Sequence, residues 1–270
     1  MKKTLQIWGT LVLLLFLFPV LLQLIPGGPT VKSPKILKEK AVIVYASNIT
    51  EEETVKADKG KALLYFTHSH EAYEPVTQAV DGKVAVSHQT ENITKFGEKL
   101  KNQLSVNGVE TDILPIDNAS EMRKNGVPHS RAYKAIRPHV EKQLQQNQYG
   151  LVIDLHRDSL EASRTTMEHA GEKYAKVAFV VGMDHPNAEK NKANATFIKN
   201  EMEKLVPGIT RGLVLKGGAG VDGKYNQDLN TSVILIELGG RGNSEDELNR
   251  TVAVIAQAAA AFIENTEQAE

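Results

Sequence analysis

Short apolar runs alternate with amphipathic stretches along most of this chain. Residues 62–66 (Ala-Leu-Leu-Tyr-Phe) and 149–155 (Tyr-Gly-Leu-Val-Ile-Asp-Leu) have the length and composition of buried strands. Residues 92–104 place Ile93, Phe96, Leu100 and Leu104 on one helical face, and Gly108 ends that helix. Residues 109–114 then read as a strand. Residues 131–146 are helix-like, although Pro138 should start or kink the element. Residues 174–182 form a Val-rich strand, 186–205 a polar amphipathic helix that stops before Pro207-Gly208, and 212–215 a short strand. The last strand, 232–238, precedes an Ala-rich helix running to about residue 265. Ser244 with Glu247 three positions on forms a capping box at its start. Strands alternating with helices predict an α/β fold: a single domain whose mostly parallel sheet is flanked by helices.

The amino terminus breaks this pattern. Met1-Lys2-Lys3 precedes an apolar run over residues 11–25, interrupted only by Pro19 and Gln23. Counted from about Ile7, the stretch approaches the length needed to span a bilayer. No small-residue cleavage pattern follows, so residues 1–25 read as an uncleaved anchor rather than a cleaved signal peptide. Residues 26–40, rich in Pro, Gly and Lys, read as a linker, and 41–266 as the folded domain. Residues 41–45 read as an early strand or a packed extension of that domain. Lysines flank the anchor on both sides, so the positive-inside rule gives no orientation. A short tail ahead of a large domain favours a single-pass protein of the cell membrane with its domain outside the cytoplasm.

Composition narrows the chemistry. The 270 residues carry a formal net charge of −1, which gives no support to a nucleic-acid partner. There is no cysteine, so disulfides, thiolate zinc sites and a cysteine nucleophile are excluded. No G-x-S-x-G elbow is present. The stretch Lys216-Gly217-Gly218-Ala219-Gly220 lacks the G-K-[ST] ending of a phosphate loop and reads as a mobile loop.

What remains are polar residues where apolar runs end. Thr67-His68-Ser69-His70-Glu71 follows the first strand, and Asp154-Leu155-His156-Arg157-Asp158 closes the second. Open α/β sheets bind ligands at the carboxyl edge, where such side chains are delivered. His88 lies just ahead of the helix at 92, and Glu237 sits inside the apolar last strand. An acid there is costly to bury without a partner or a task. His68, His88 and His156 would serve as three zinc ligands that leave a position for water. Glu237 would then move the proton. Bland readings remain: a strand-end histidine can be a hydrogen-bonded core residue, and Glu237 an ion-pair partner of Arg157 or Arg241. Glu71 is open between ligand, orienter of His68 and substrate contact. His70 reads as a surface or supporting residue, and His129, His139, His169 and His185 as solvated. Asn226 could line a substrate cleft or, with Asp228, tighten a turn.

Several blocks together resemble stage II sporulation protein P. They are Tyr65-Phe66-Thr67-His68 with Glu71-Ala72-Tyr73, Asn92-Ile93-Thr94-Lys95-Phe96-Gly97, and Ile153-Asp154-Leu155-His156-Arg157-Asp158-Ser159. The run from Ala175 through Val180-Val181-Gly182, Tyr225-Asn226-Gln227-Asp228-Leu229 and Ile236-Glu237-Leu238-Gly239-Gly240 belong with them. That family is similar to the zinc-dependent N-acetylmuramoyl-L-alanine amidases, which implies an amidase or zinc-peptidase-like fold. It implies cleavage of the peptidoglycan amide between the lactyl group and L-Ala during forespore engulfment. A lytic transglycosylase and a membrane scaffold are the implied partners. His68 matches the first ligand, His156 the last and Glu237 the catalytic acid. His88 is assigned the middle position, with Glu91 close by as the alternative. Arg157, like Glu71 and Asn226, is expected to support the ligands or touch substrate. A cross-link endopeptidase and a non-catalytic wall-binding scaffold are the competing readings.

Overall fold

The computed structural model describes residues 60–268. The anchor and linker read over 1–40, and the early strand at 41–45, lie outside the described residues. Among those described, no helix is long and apolar enough to cross a membrane.

Six strands form one sheet: β1 (Lys61–Tyr65), β2 (Glu110–Ile113), β3 (Leu151–Asp158), β6 (Val177–Gly182), β7 (Thr210–Lys216) and β8 (Val233–Gly240). Their order is β2-β1-β3-β8-β6-β7. All neighbouring pairs are parallel except β6 with β8. A separate hairpin joins β4 (Thr166–His169) to β5 (Glu172–Ala175). The helices are α1 (Glu74–Asp81), α2 (Ile93–Val106), α3 (Asn118–Lys124), α4 (Ala132–Gln146), α5 (Ala162–Thr165), α6 (Ala188–Leu205) and α7 (Glu245–Glu267). The expected mixed, mostly parallel sheet between helices is therefore present.

The period-2 alternation of each strand divides the core into two layers. Leu64, Leu151, Ile153, Ile234 and Ile236 face α2, α6 and α7. Leu63, Tyr65, Val152 and Val233 face Ile136 and Val140 of α4. Both layers are closed to water, so the strands read as continuous apolar runs, as parallel strands do.

Most elements lie where the periodicity places them. Helix α2 starts on Asn92, whose Oδ1 accepts from the Thr94 amide. Helix α7 starts on the Ser244–Glu247 capping box, with both reciprocal bonds made. The strand expected over 174–182 divides at Lys176, because the Lys176 amide turns to the Thr165 carbonyl and β5 joins β4 instead. Helices α1 and α3 have no counterpart in the hydrophobic pattern, and they flank the site.

Gly97 of α2 marks the closest approach of that helix to the sheet. A Cβ there would overlap the buried Phe66 ring. Gly97→Ala should therefore destabilise the domain although alanine favours helix by up to about 1 kcal/mol. Overpacking costs about 1–3 kcal/mol. The expected net loss is a lower melting temperature, and an unchanged or higher one would contradict this packing.

Candidate active site

Sheet register builds the centre of the site. In the parallel pair β3–β8, His156 stands beside Glu237, and in β1–β3, Tyr65 stands beside Asp154. Alternation sends Asp154, His156 and Glu237 to the α4 side of the sheet, at its carboxyl edge. His68 sits just past the end of β1, 5.2 Å from His156 ring to ring in an edge contact.

Asp154 is fully buried. It accepts from the Thr67 amide at 2.9 Å and the Thr67 hydroxyl at 2.6 Å. Its other role is toward His156, whose Nε2 lies 3.0 Å from Asp154 Oδ1. The opposite ring nitrogen, Nδ1, is 3.8 Å from Glu71 Oε2. Burial alone would lower the pKa of His156, but Asp154, Glu71 and Glu237 outweigh it and raise the imidazole to about 9. His68 moves the other way. Burial, then the neighbouring His156 and His129, pushes it down to about 3, so its ring is neutral at physiological pH.

Glu237 has an Oε2 that is out of contact with solvent and without a hydrogen-bond partner. Burial pushes its carboxyl up to about 7, against the pull of His156. Neither arginine suggested as its ion-pair partner takes that part. Arg157 donates to the Val86 and Asp158 carbonyls, and Arg241 pairs with Glu161 and Glu74. Glu71 is fixed by the Arg157 amide at 2.8 Å, and burial raises its carboxyl also.

The structure does not bring His88 into this group. Its Nε2 lies 2.6 Å from Asp81 at the end of α1, and its Nδ1 accepts from the Glu91 amide at 2.8 Å. Both ring nitrogens are thus engaged locally. The alternative, Glu91, pairs with Lys95 at 3.1 Å. Glu71, not His88, lies next to His156, its Oε2 3.8 Å from the ring Nδ1. Among the described residues, no three His, Asp or Glu side chains stand already placed to hold a metal ion.

Asn226 is brought near the site but turned into the protein. Its Nδ2 donates to the Tyr133 carbonyl and its Oδ1 accepts from Arg137. It thereby braces Tyr133, whose ring packs on both His68 and His156. The glycine stretch before it closes around Asp184, which accepts from the Gly218 amide at 2.8 Å and donates its own amide to Gly223.

Other residues join the site without having been assigned to it from sequence. His129 is exposed, as expected, and also stacks on His68 with ring centroids 4.3 Å apart. Of the two readings of His70, surface or supporting residue, the structure gives the second: it is buried and bonded to Asp117 at 2.9 Å. His185, also expected to be solvated, is buried. Asp154 was legible in principle, because it lies two positions before His156 on the same strand face. His129 and Tyr133 carry no such signal; only the entry of α4 over the sheet edge places them. A cleft of about 590 Å³ opens from His68 and Glu71 toward α3, walled by Val86, Met122, Arg123 and Arg157.

Solved structures with a related backbone path include the CwlD amidase from Clostridioides difficile in complex with the GerS lipoprotein. It has a TM-score of 0.47 and 15% identity, over 78% of this chain and 97% of that one. N-acetylmuramoyl-L-alanine amidase AmiC2 of Nostoc punctiforme gives 0.42 and 11%, over 78% and 99%. A metallo-carboxypeptidase from Burkholderia cenocepacia gives 0.44 and 12%, over 79% and 59%. In sequence, stage II sporulation protein P of Bacillus subtilis (strain 168) is 36% identical over 196 residues, 72% of this chain. The chain spans about half the length of that curated relative, 48%. The family model for stage II sporulation protein P (SpoIIP) matches residues 30–260, and the chain belongs to that family.

Proposed function

We propose that this protein is a zinc-dependent N-acetylmuramoyl-L-alanine amidase. In this reading it hydrolyses the amide between the muramic lactyl group and the L-Ala of the peptidoglycan stem during sporulation. The observation that carries the reading is Glu237: an unpartnered, buried carboxylate oxygen on the strand beside His156, with its pKa raised to about 7. Family membership supports it. A membrane tether through residues 1–25, and work alongside a lytic transglycosylase and a membrane scaffold, belong to the same proposal. They rest on the apolar amino-terminal run and the family.

The donor chemistry fits zinc. His68 is neutral near pH 7, the Glu71 carboxyl stands 3.8 Å from His156 Nδ1, and Asp154 lies 3.0 Å from the far nitrogen of His156. A carboxylate behind a ligating imidazole fixes its orientation and raises its basicity. His68, Glu71 and His156 are therefore the residues that would hold the ion. The chemistry zinc supplies when bound is Lewis-acid charge, which polarises a carbonyl and acidifies water.

The protein's own groups perform the rest. Tyr133, with Asn226 behind it, packs on His68 and His156 and holds the imidazole faces in place. Glu237 exchanges a proton readily near neutrality, because its pKa lies near the working pH. It takes a proton from the water that attacks the amide carbon. It then returns that proton to the nitrogen of L-Ala, which leaves as a free amine.

Two outcomes test this. The purified full chain, given zinc and peptidoglycan, should release free stem peptides detectable by mass spectrometry. Glu237→Gln should slow release by about 10²–10⁴-fold with an unchanged melting temperature. Cross-link cleavage that leaves stems attached to muramic acid, or no products at all, would refute the amidase assignment. For the metal, elemental analysis should find zinc on the wild-type chain. Glu71→Gln should weaken zinc binding by at least about tenfold, and His88→Ala should leave it unchanged. The reverse pattern would restore His88 as the ligand.

A further inference from the structure

The cleft beside the catalytic groups carries a cation that the proposed hydrolysis does not use. Arg123 projects from the last turn of α3 and lines the same cleft as His68 and Glu71. Its Nη2 is 3.4 Å from His70 Nδ1 and 3.3 Å from the Ser120 hydroxyl. Neither contact is to a carboxylate and both are long. Among the described residues Arg123 has no carboxylate partner.

The surroundings hold Arg123 without neutralising it. Asp117 caps α3 through the Ser120 amide and accepts from the Ser69 hydroxyl at 2.8 Å. Its other oxygen lies 2.9 Å from His70 Nε2. The other ring nitrogen, Nδ1, is the one that faces the arginine. The acid of this network is thus committed to His70 and the helix cap. Arg157, the second guanidinium on the cleft, lies in the field of Glu71 and Glu237. Arg123 has no such compensation. A guanidinium fork is the side chain best matched to a planar carboxylate. The cleft lining also includes Val86, Met122 and Val127, which suit the methyl and methylene groups of a peptide's side chains.

We propose that Arg123 is a specificity residue that binds a carboxylate of the stem peptide, so that the protein prefers stems carrying that group free over stems in which it is amidated. The proposal rests on the peptidoglycan amidase reading. The carboxylate has two possible sources: the α-carboxylate left free by a γ-linked glutamate at the second stem position, and that of a diamino acid at the third. His70 acts as a positioning residue, holding the arginine through Nδ1.

The test separates binding from hydrolysis. Soluble stem tripeptides, one with both carboxylates free, one amidated at the second residue and one at the third, are titrated calorimetrically into the full chain. The free peptide should bind about tenfold to hundredfold more tightly than one of the amidated forms, the range for a hydrogen bond to a charged group. That form identifies the source. Arg123→Gln should abolish the difference, Arg123→Lys should retain part of it, and neither should shift the melting temperature. Equal affinity of wild type for all three peptides would overturn the proposal. So would an equal weakening of all three by Arg123→Gln with a lowered melting temperature, which marks a structural role. If the peptides are discriminated but intact peptidoglycan releases no stems, the carboxylate subsite stands and the amidase reading fails. If stems are released without discrimination, the amidase reading stands and the subsite fails.

Discussion

A carboxylate with no exposure to water must find its hydrogen bonds inside the protein or lose several kcal/mol. Asp154 finds them in the amide and hydroxyl of Thr67 and turns its remaining capacity to His156. One side chain therefore fastens the end of β1 to β3 and sets the ring that closes the site. His68 follows Thr67 directly, so the same bonds fix where the first histidine emerges. Asn118 adds to this by donating to the Thr67 and Ala132 carbonyls, which ties the starts of α3 and α4 to the same point. Four elements from distant parts of the chain, β1, β3, α3 and α4, meet at this buried carboxyl group.

The site is built against stability in an informative way. Glu237 lies in a strand whose neighbours are otherwise apolar, and one of its oxygens has no partner. Burying such a group unpaired is unfavourable, and the raised pKa shows how the molecule relieves it, by making the neutral form accessible near pH 7. His156 resists that shift, the neighbouring Glu71 adds to it, and His68 remains neutral. Adjacent titratable groups are thereby pushed to different protonation states by their environments. Such separation is characteristic of acid–base sites.

His68, His156 and Glu237 were legible in the sequence because each interrupts or terminates an apolar strand, and a parallel sheet sends strand ends to one edge. His88 shows the limit of that reasoning. Its place ahead of α2 suggested a ligand, but α1, a short eight-residue helix, supplies Asp81 as its partner. Glu71 was left open among three roles for the complementary reason. Its distance to His156 depends on the turn after β1, where the Glu71 amide folds back on the His68 carbonyl. Sequence spacing does not encode that turn.

Sequence alone determined the α/β class, the polar residues at the strand ends and the family, because hydrophobic periodicity and short motifs are local properties of the chain. Tertiary structure decided which polar residues meet. Register placed His156 beside Glu237, and the docking of α3 and α4 brought His129, Tyr133 and Arg123 to the cleft. These contacts join residues tens of positions apart, and their geometry is set by packing across the sheet, which no local pattern records.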